Sequence, residues 1–160
     1  MFFKTSDDQI IQTGHSWSQD GITHPSNWEI WTAEYKASMG LVEFTPEPQP
    51  DDRFYTWTQN EDLTYNKTEK SIDSLKTFWI EISKNKAHSL LFESDWQAIA
   101  KAERGRAIDE AVATYRASVI STCTTIEGQI NACDNLGEFK LLFESPEDGN
   151  APPMHNWPEE

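Results

Sequence analysis

The spacing of apolar residues changes character near residue 70, from short alternations to long helical stripes. Before that point, Met1-Phe2-Phe3 and Ile10-Ile11 flank a polar break at Ser6-Asp7-Asp8, which predicts two short strands joined by a turn. Gln19-Asp20-Gly21 marks another turn, because glycine accepts the positive φ that tight turns require. After Pro25, with Ser26 or Asn27 as N-cap, Trp28, Trp31, Tyr35 and Met39 recur every three or four residues. That spacing predicts one continuous helix, closed by Gly40. Leu41 to Phe44 reads as a strand. Pro46, Pro48 and Pro50 then make an extended spacer, since proline removes backbone donors and fixes φ. This spacer is the expected internal boundary. Arg53 to Gln59 alternates as a strand, and Leu63 to Tyr65 pairs back across Asn60-Glu61-Asp62.

Helical patterning runs from about Ser71 to Phe92, with Ile72, Leu75, Trp79 and Ile82 as its stripe and Phe78 beside it. Asp95 is placed to cap a short helix over Trp96, Ile99 and Ala100, which Gly105 ends. A second long helix spans about Ala107 to Cys133. Its expected seam is Ile108, Val112, Tyr115, Val119, Thr122, Ile126, Gln129 and Cys133, alternating by three and four as in a coiled coil. The seam closes within the chain or across a homo-oligomer. Gly128, inside this helix, marks a bend or a close approach. Phe139 to Phe143 is an apolar patch that folds back or pairs with a neighbour. From Ser145 onward proline, glycine, asparagine and acid dominate, predicting an extended tail that is ordered only where it docks.

These elements predict an α+β fold. A small mixed N-terminal region of short strands plus one helix precedes a helical hairpin with a long coiled-coil-like helix. The expected regions are 1–45 (α+β), 46–70 (Pro-rich linker and hairpin), 71–144 (helical) and 145–160 (acidic, Pro-containing tail).

Charge narrows the partners. Thirteen basic against 27 acidic residues leave −14, so phosphate backbones and anionic lipid are repelled, and neither nucleic acid nor membrane is an expected partner. A polypeptide with basic patches suits it better. Only 37% of residues are apolar, so the core must rest on few elements and on large rings such as the seven tryptophans. Cys123 and Cys133 lie ten residues apart on one predicted helix, about 15 Å at 1.5 Å per residue, too far for a disulfide. Two free thiols fit folding in a reducing cytoplasm. The first residues lack the long apolar segment of a signal peptide, and no run approaches a membrane span.

Chemistry-bearing patterns are weak. His15, His24, His88 and His155 are scattered, with no spacing that suits a metal, and no glycine-rich loop or nucleophile elbow implies a cofactor or an acyl-transfer site. Cys123 sits mid-helix on or beside a buried seam, where thiols are inert. The pairs Asp7-Asp8, Asp51-Asp52 and Glu61-Asp62 fall in turns. The expectation is therefore a non-enzymatic protein without metal or cofactor. Trp17, Trp57 and Trp157 are the candidate exposed rings, and they keep open a Trp-rich carbohydrate-binding module. Trp157 either covers the chain's own core or anchors on a partner. Asp95, Trp96, Tyr115 and Arg116 have a local reading: Asp95 caps, Arg116 pairs with it, and Trp96 plugs the angle between two helices. On that reading, deleting the Trp96 ring costs about 3–5 kcal/mol. These four, with Trp57 and Trp157, are the candidate structural or partner-binding residues.

The stretch Leu90-Leu91 … Ser94-Asp95-Trp96 … Tyr115-Arg116 closely resembles a segment of the tail fibre (or tail) assembly chaperones of tailed bacteriophages. Shorter likenesses lie at Pro25 with Trp28, at Met39-Gly40-Leu41-Val42, at Asp52-Arg53-Phe54-Tyr55 and at Met154-His155-Asn156-Trp157-Pro158-Glu159. The resemblance implies a protein that binds tail-fibre or adjoining tail chains and assists their assembly in the host cytoplasm. The polar segment Gln59 to Lys70 and a helix continuing to Cys133 depart from shorter relatives. They suit the alternative, a structural component that stays in the tail of the virion.

Overall fold

The computed structural model describes residues 1–147 and 149–159; Asp148 and Glu160, within the expected tail, lie outside the described residues. With 48% helix and 16% strand, short strands leading and long helices following, the chain is α+β. It divides into two compact units, Met1–Thr68 and Glu69–Glu160.

In the first unit, β1 (Phe2–Lys4), β2 (Ile10–Gln12) and β5 (Val42–Phe44) form an antiparallel sheet in the order β2-β1-β5. The turn between β1 and β2 is held by Thr5, whose hydroxyl donates to the Asp7 carboxylate and accepts from Gln9 N–H. β3 (Trp17–Gln19) and β4 (Ile22–His24) pair across Asp20 and Gly21, both at positive φ. Phe3, Ile11, Trp17, Trp28 and Leu41 form the core, with Trp31 and Met39 packed on it. Trp28 is fully enclosed, and its indole N–H donates to the His15 carbonyl at 2.7 Å.

The single helix expected after Pro25 is two pieces. A 3-10 turn, Ser26–Ile30, stops at Trp31 in extended geometry, and α1 (Ala33–Ser38) begins afresh. Thr32 is the reason, because its hydroxyl accepts Tyr35 N–H as a new N-cap. With three residues per turn, the 3-10 segment keeps Trp28 and Trp31 on one side, while Tyr35 turns to solvent. Gly40 closes α1 at φ +73°, and an added Cβ there would sit 3.2 Å from Ser6 Cβ, so glycine serves both dihedral and packing.

The proline spacer lies inside the first unit, not at its edge. Pro50 is buried, and the Glu47 carboxylate accepts Tyr65 N–H at 3.2 Å and lies 3.8 Å from Lys67 Nζ. Those contacts tie the spacer to β7 (Tyr65–Glu69), which forms a two-stranded sheet with β6 (Tyr55–Gln59).

The second unit is built on α2 (Ile72–Leu91) and α4 (Glu110–Ala132), packed antiparallel. Near one end Lys76 Nζ donates to the Asn131 carbonyl, and midway Lys84 lies 3.7 Å from Glu127. The expected stripes hold in part. On α2 Leu75 is buried and Ile72 and Trp79 half-buried as expected, but the stripe continues through Ser83 and Ala87 rather than Ile82, which is exposed, as is Phe78 beside it. Small Ser83 and Ala87 let α4 approach closely, which a row of large side chains would prevent. On α4 the positions 112, 119, 126 and 133 face inward as expected, but the intervening ones are Cys123 and Ile130 rather than Thr122 and Gln129. Apolar Cys123 and Ile130 gain from burial what threonine and glutamine would lose. The helix starts at Glu110, three residues later than expected, because Asp109 caps Ala111 and Val112 N–H. Gly128 is exposed, with nothing within 4 Å of an added Cβ, so no close approach explains it.

The expected apolar patch, Phe139 to Phe143, falls on the second half of a short helix, α5 (Leu136–Leu141), and the residues just after it. Asn135 caps Glu138 N–H, the Glu138 carboxylate returns to Asp134 N–H, and Phe139 is fully enclosed.

The shifted seam is tested by two substitutions. Ile130→Ala is expected to cost about 2–5 kcal/mol in chemical denaturation, and Gln129→Ala no more than about 0.5. The reverse ranking would restore the expected register.

Candidate docking surface

After Leu91 the chain tightens into a 3-10 turn, Phe92–Ser94, and restarts as α3 (Asp95–Arg104). Asp95 is the first helical residue and does not cap; its charge suits the partial positive end of the helix. Ser94 stands at the cap position, but its hydroxyl donates to the Leu91 carbonyl at 3.0 Å. Gly105, at φ +66°, closes α3 in the left-handed region. The Gln97 side chain accepts Asp109 N–H at 3.2 Å, which ties α3 to the start of α4.

Arg116, from the second turn of α4, fastens this corner. Its Nη2 lies 2.9 Å from Asp95 Oδ1, and its Nη1 donates to the Leu91 carbonyl at 2.9 Å and to Ser94 Oγ at 2.7 Å. The guanidinium side chain is only 15% exposed, so little water competes for these bonds. One planar cation thus meets the end of α2, the 3-10 turn and the start of α3.

Trp96 does not plug the helix angle. It is 53% exposed, and the Arg106 guanidinium lies 5.5 Å from its ring centroid. Phe92 and Ile99, 67% and 55% exposed, flank it at i−4 and i+3. Asp95 and Arg116 make the contacts of the corner, and residue 96, about 100° further round the helix, is left outside them. Three large apolar side chains are thus exposed close together in sequence at this turn.

The other sequence candidates fall elsewhere. Tyr115 and Trp157 are half-buried against one cluster, Ala87, Val119 and Cys123, with Leu90 and Leu91. For Trp157 this is contact with the chain's own core. Trp57 belongs to the first unit, where its ring meets Tyr65 edge-on at 5.2 Å and its N–H donates to the Asp52 carboxylate. Trp17 is 4% exposed and stacked on His24, so it offers no platform to a sugar. The sequence pattern nominates Trp96 but neither Phe92 nor Ile99 as a partner-facing candidate, although their spacing (four, then three) is visible in it.

Catalytic geometry is sparse. Among the described residues, no three His, Cys, Asp or Glu side chains converge as metal ligands would, and no helix is long and apolar enough to cross a membrane. Burial pushes the Cys123 thiol above its ordinary pKa, and nearby Glu127 adds to the rise. Cys133 is raised by burial in the same way, with Glu138 contributing. Both thiols are free and held in the poorly nucleophilic form.

Comparison with models of protein families, with curated proteins and with solved structures returned no match to this chain.

Two measurements check this site. Arg116→Met is expected to cost about 1.5–3 kcal/mol of stability, the range for hydrogen bonds to a charged group, while Trp96→Ala costs less than about 1 kcal/mol. A Trp96→Ala loss of several kcal/mol would return that ring to the core. In the native chain, iodoacetamide at neutral pH should leave Cys123 and Cys133 unmodified, and urea should expose both to alkylation.

Proposed function

We propose that this chain is a non-enzymatic bacteriophage tail protein that binds tail-fibre, or adjacent tail, chains and assists their assembly. The observation that carries this reading is the row Phe92, Trp96 and Ile99, exposed on a corner that Arg116 holds rigid. The row lies within the same stretch that resembles the tail fibre assembly chaperones. A protein with 27 acidic residues that leaves large apolar side chains in water, these three among them, fits a partner that covers them. The excess negative charge keeps such a complex soluble while the partner assembles in the host cytoplasm. A rigid mount matters because the side chains lose less freedom on binding. A carbohydrate-binding role is the weaker alternative, since Trp17 is buried and Trp57 and Trp157 are each packed against their own unit.

The test is co-expression with the tail-fibre chain of the same genome. The wild-type chain should raise the yield of soluble fibre trimer, and the double variant Phe92→Ser, Trp96→Ala should lower capture of the fibre about tenfold or more with its circular dichroism unchanged. Equal capture by the two proteins would refute this surface as the contact. Mass spectrometry of purified virions separates a transient assembly factor from a resident subunit, because only the latter appears in stoichiometric amount.

A further inference from the structure

Beyond α5 the chain loops out and returns. Met154 is buried, and its N–H donates to the Leu142 carbonyl at 3.0 Å. A short 3-10 turn, Pro153–His155, follows, and the ring of Trp157 then rests on the cluster of Ala87, Val119 and Cys123. Between this terminal strap and the helices runs a groove of about 780 Å³, lined by Trp79, Leu90 and Tyr115 on one side and by Trp157 and Pro158 on the other.

The strap is held unequally along its length. At Met154 a backbone hydrogen bond joins it to the end of α5. Past that point the polar contacts of Trp157 stay within the strap, its main-chain N–H donating to the His155 carbonyl and its indole N–H to the Met154 carbonyl. Among the described residues no hydrogen bond joins 155–159 to α2 or α4. A half-buried ring without directional bonds to its seat is a contact that opens locally without unfolding what lies beneath.

We infer that residues 155–159 are a reversibly seated strap, and that the seat on Ala87, Val119 and Cys123 takes the same strap from a second copy of the chain. The fit of this occupant is already on view, because the chain's own strap fills the seat. Exchange between copies replaces each contact by an identical one, so the only loss is the tether. Lys86 and Glu159 also line this groove, with Glu93 on the helix side. A short tether supplies an effective concentration of roughly millimolar, so the chain's own strap wins in dilute solution and exchange emerges as protein concentration rises toward that value. This inference stands apart from the tail-fibre reading and involves a different surface.

The experiment uses a fluorescent peptide of residues 151–159 and the full-length chain, wild-type or Trp157→Ala. The peptide should bind the Trp157→Ala chain saturably and at least about tenfold tighter than it binds the wild type, whose seat is occupied. The same peptide carrying Trp157→Ala should bind neither chain. In sedimentation, the wild type should shift toward dimer with rising concentration and Trp157→Ala should remain monomeric. Equal binding to both chains, or binding to neither, overturns the inference. Peptide binding with a wild type that stays monomeric overturns the second copy as occupant and gives the seat to another polypeptide. Should Trp157→Ala not fold, excess unlabelled peptide added to isotope-labelled wild type answers the same question. Displacement of the strap moves the indole resonance of Trp157, and an unmoved resonance refutes the exchange.

Discussion

The helical unit depends on one cation. Two antiparallel helices joined through a third can splay at the joint unless something fixes the corner, and Arg116 does so with a single planar group. Its partners differ in kind: a carbonyl at the end of α2, a hydroxyl in the turn and a carboxylate at the start of α3. A lysine ammonium could satisfy part of that set but not the forked geometry. The carbonyl of Leu91 carries the partial negative charge of a helix end, and Asp95 sits at the partial positive end of the next helix. Arg116 therefore links two helix termini whose own dipoles favour the arrangement.

Fixing the corner from within has a consequence outside. Asp95 is turned toward Arg116, while Phe92, Trp96 and Ile99 around it stay exposed. The ion pair and these exposed apolar side chains share one short helix start. The seam between α2 and α4 shows the complementary pattern, because Ser83, Ala87 and Cys123 are small and allow close approach. At that stretch of the interface compact side chains meet, while Leu75, Ile126 and Ile130 fill the rest of the buried positions. A chain that is only 37% apolar thus leaves Phe78, Phe92, Trp96 and Ile99 outside its own core.

Much of the fold was legible because its signals are local. The turns at Ser6 to Asp8 and at Asp20-Gly21, the strand before the prolines, the stop at Gly40 and the extent of α2 follow from residues whose dihedral preferences act wherever they stand. The Asp95–Arg116 pair was also legible, since two opposite charges flanked a helix–helix connector. The break after Ile30 was not, because the 3.6-residue stripe Trp28, Trp31, Tyr35 and Met39 persists through it. Only the hydroxyl of Thr32 taking Tyr35 N–H reveals a new helix start. The proline spacer misled for a related reason. Proline sets the backbone shape of residues 46–50, but Glu47 reaching Tyr65 and Lys67 decides which unit they join.

By itself the sequence determined the α+β class, the extents of the two long helices to within a few residues, the two free thiols and the sign of the net charge. Each of these follows from one residue or one repeat. The tertiary structure alone decided which way a stripe faces. A seam read as 119, 122, 126, 129 and one read as 119, 123, 126, 130 differ by a modest rotation of the helix, and only a packed neighbour with Ser83 and Ala87 at the contact selects between them. The same holds for Trp28, enclosed, and Trp96, exposed: the two rings are chemically alike, and their fates differ because one meets a sheet and a carbonyl at His15 while the other has a solvated helix face with Arg106 beside it.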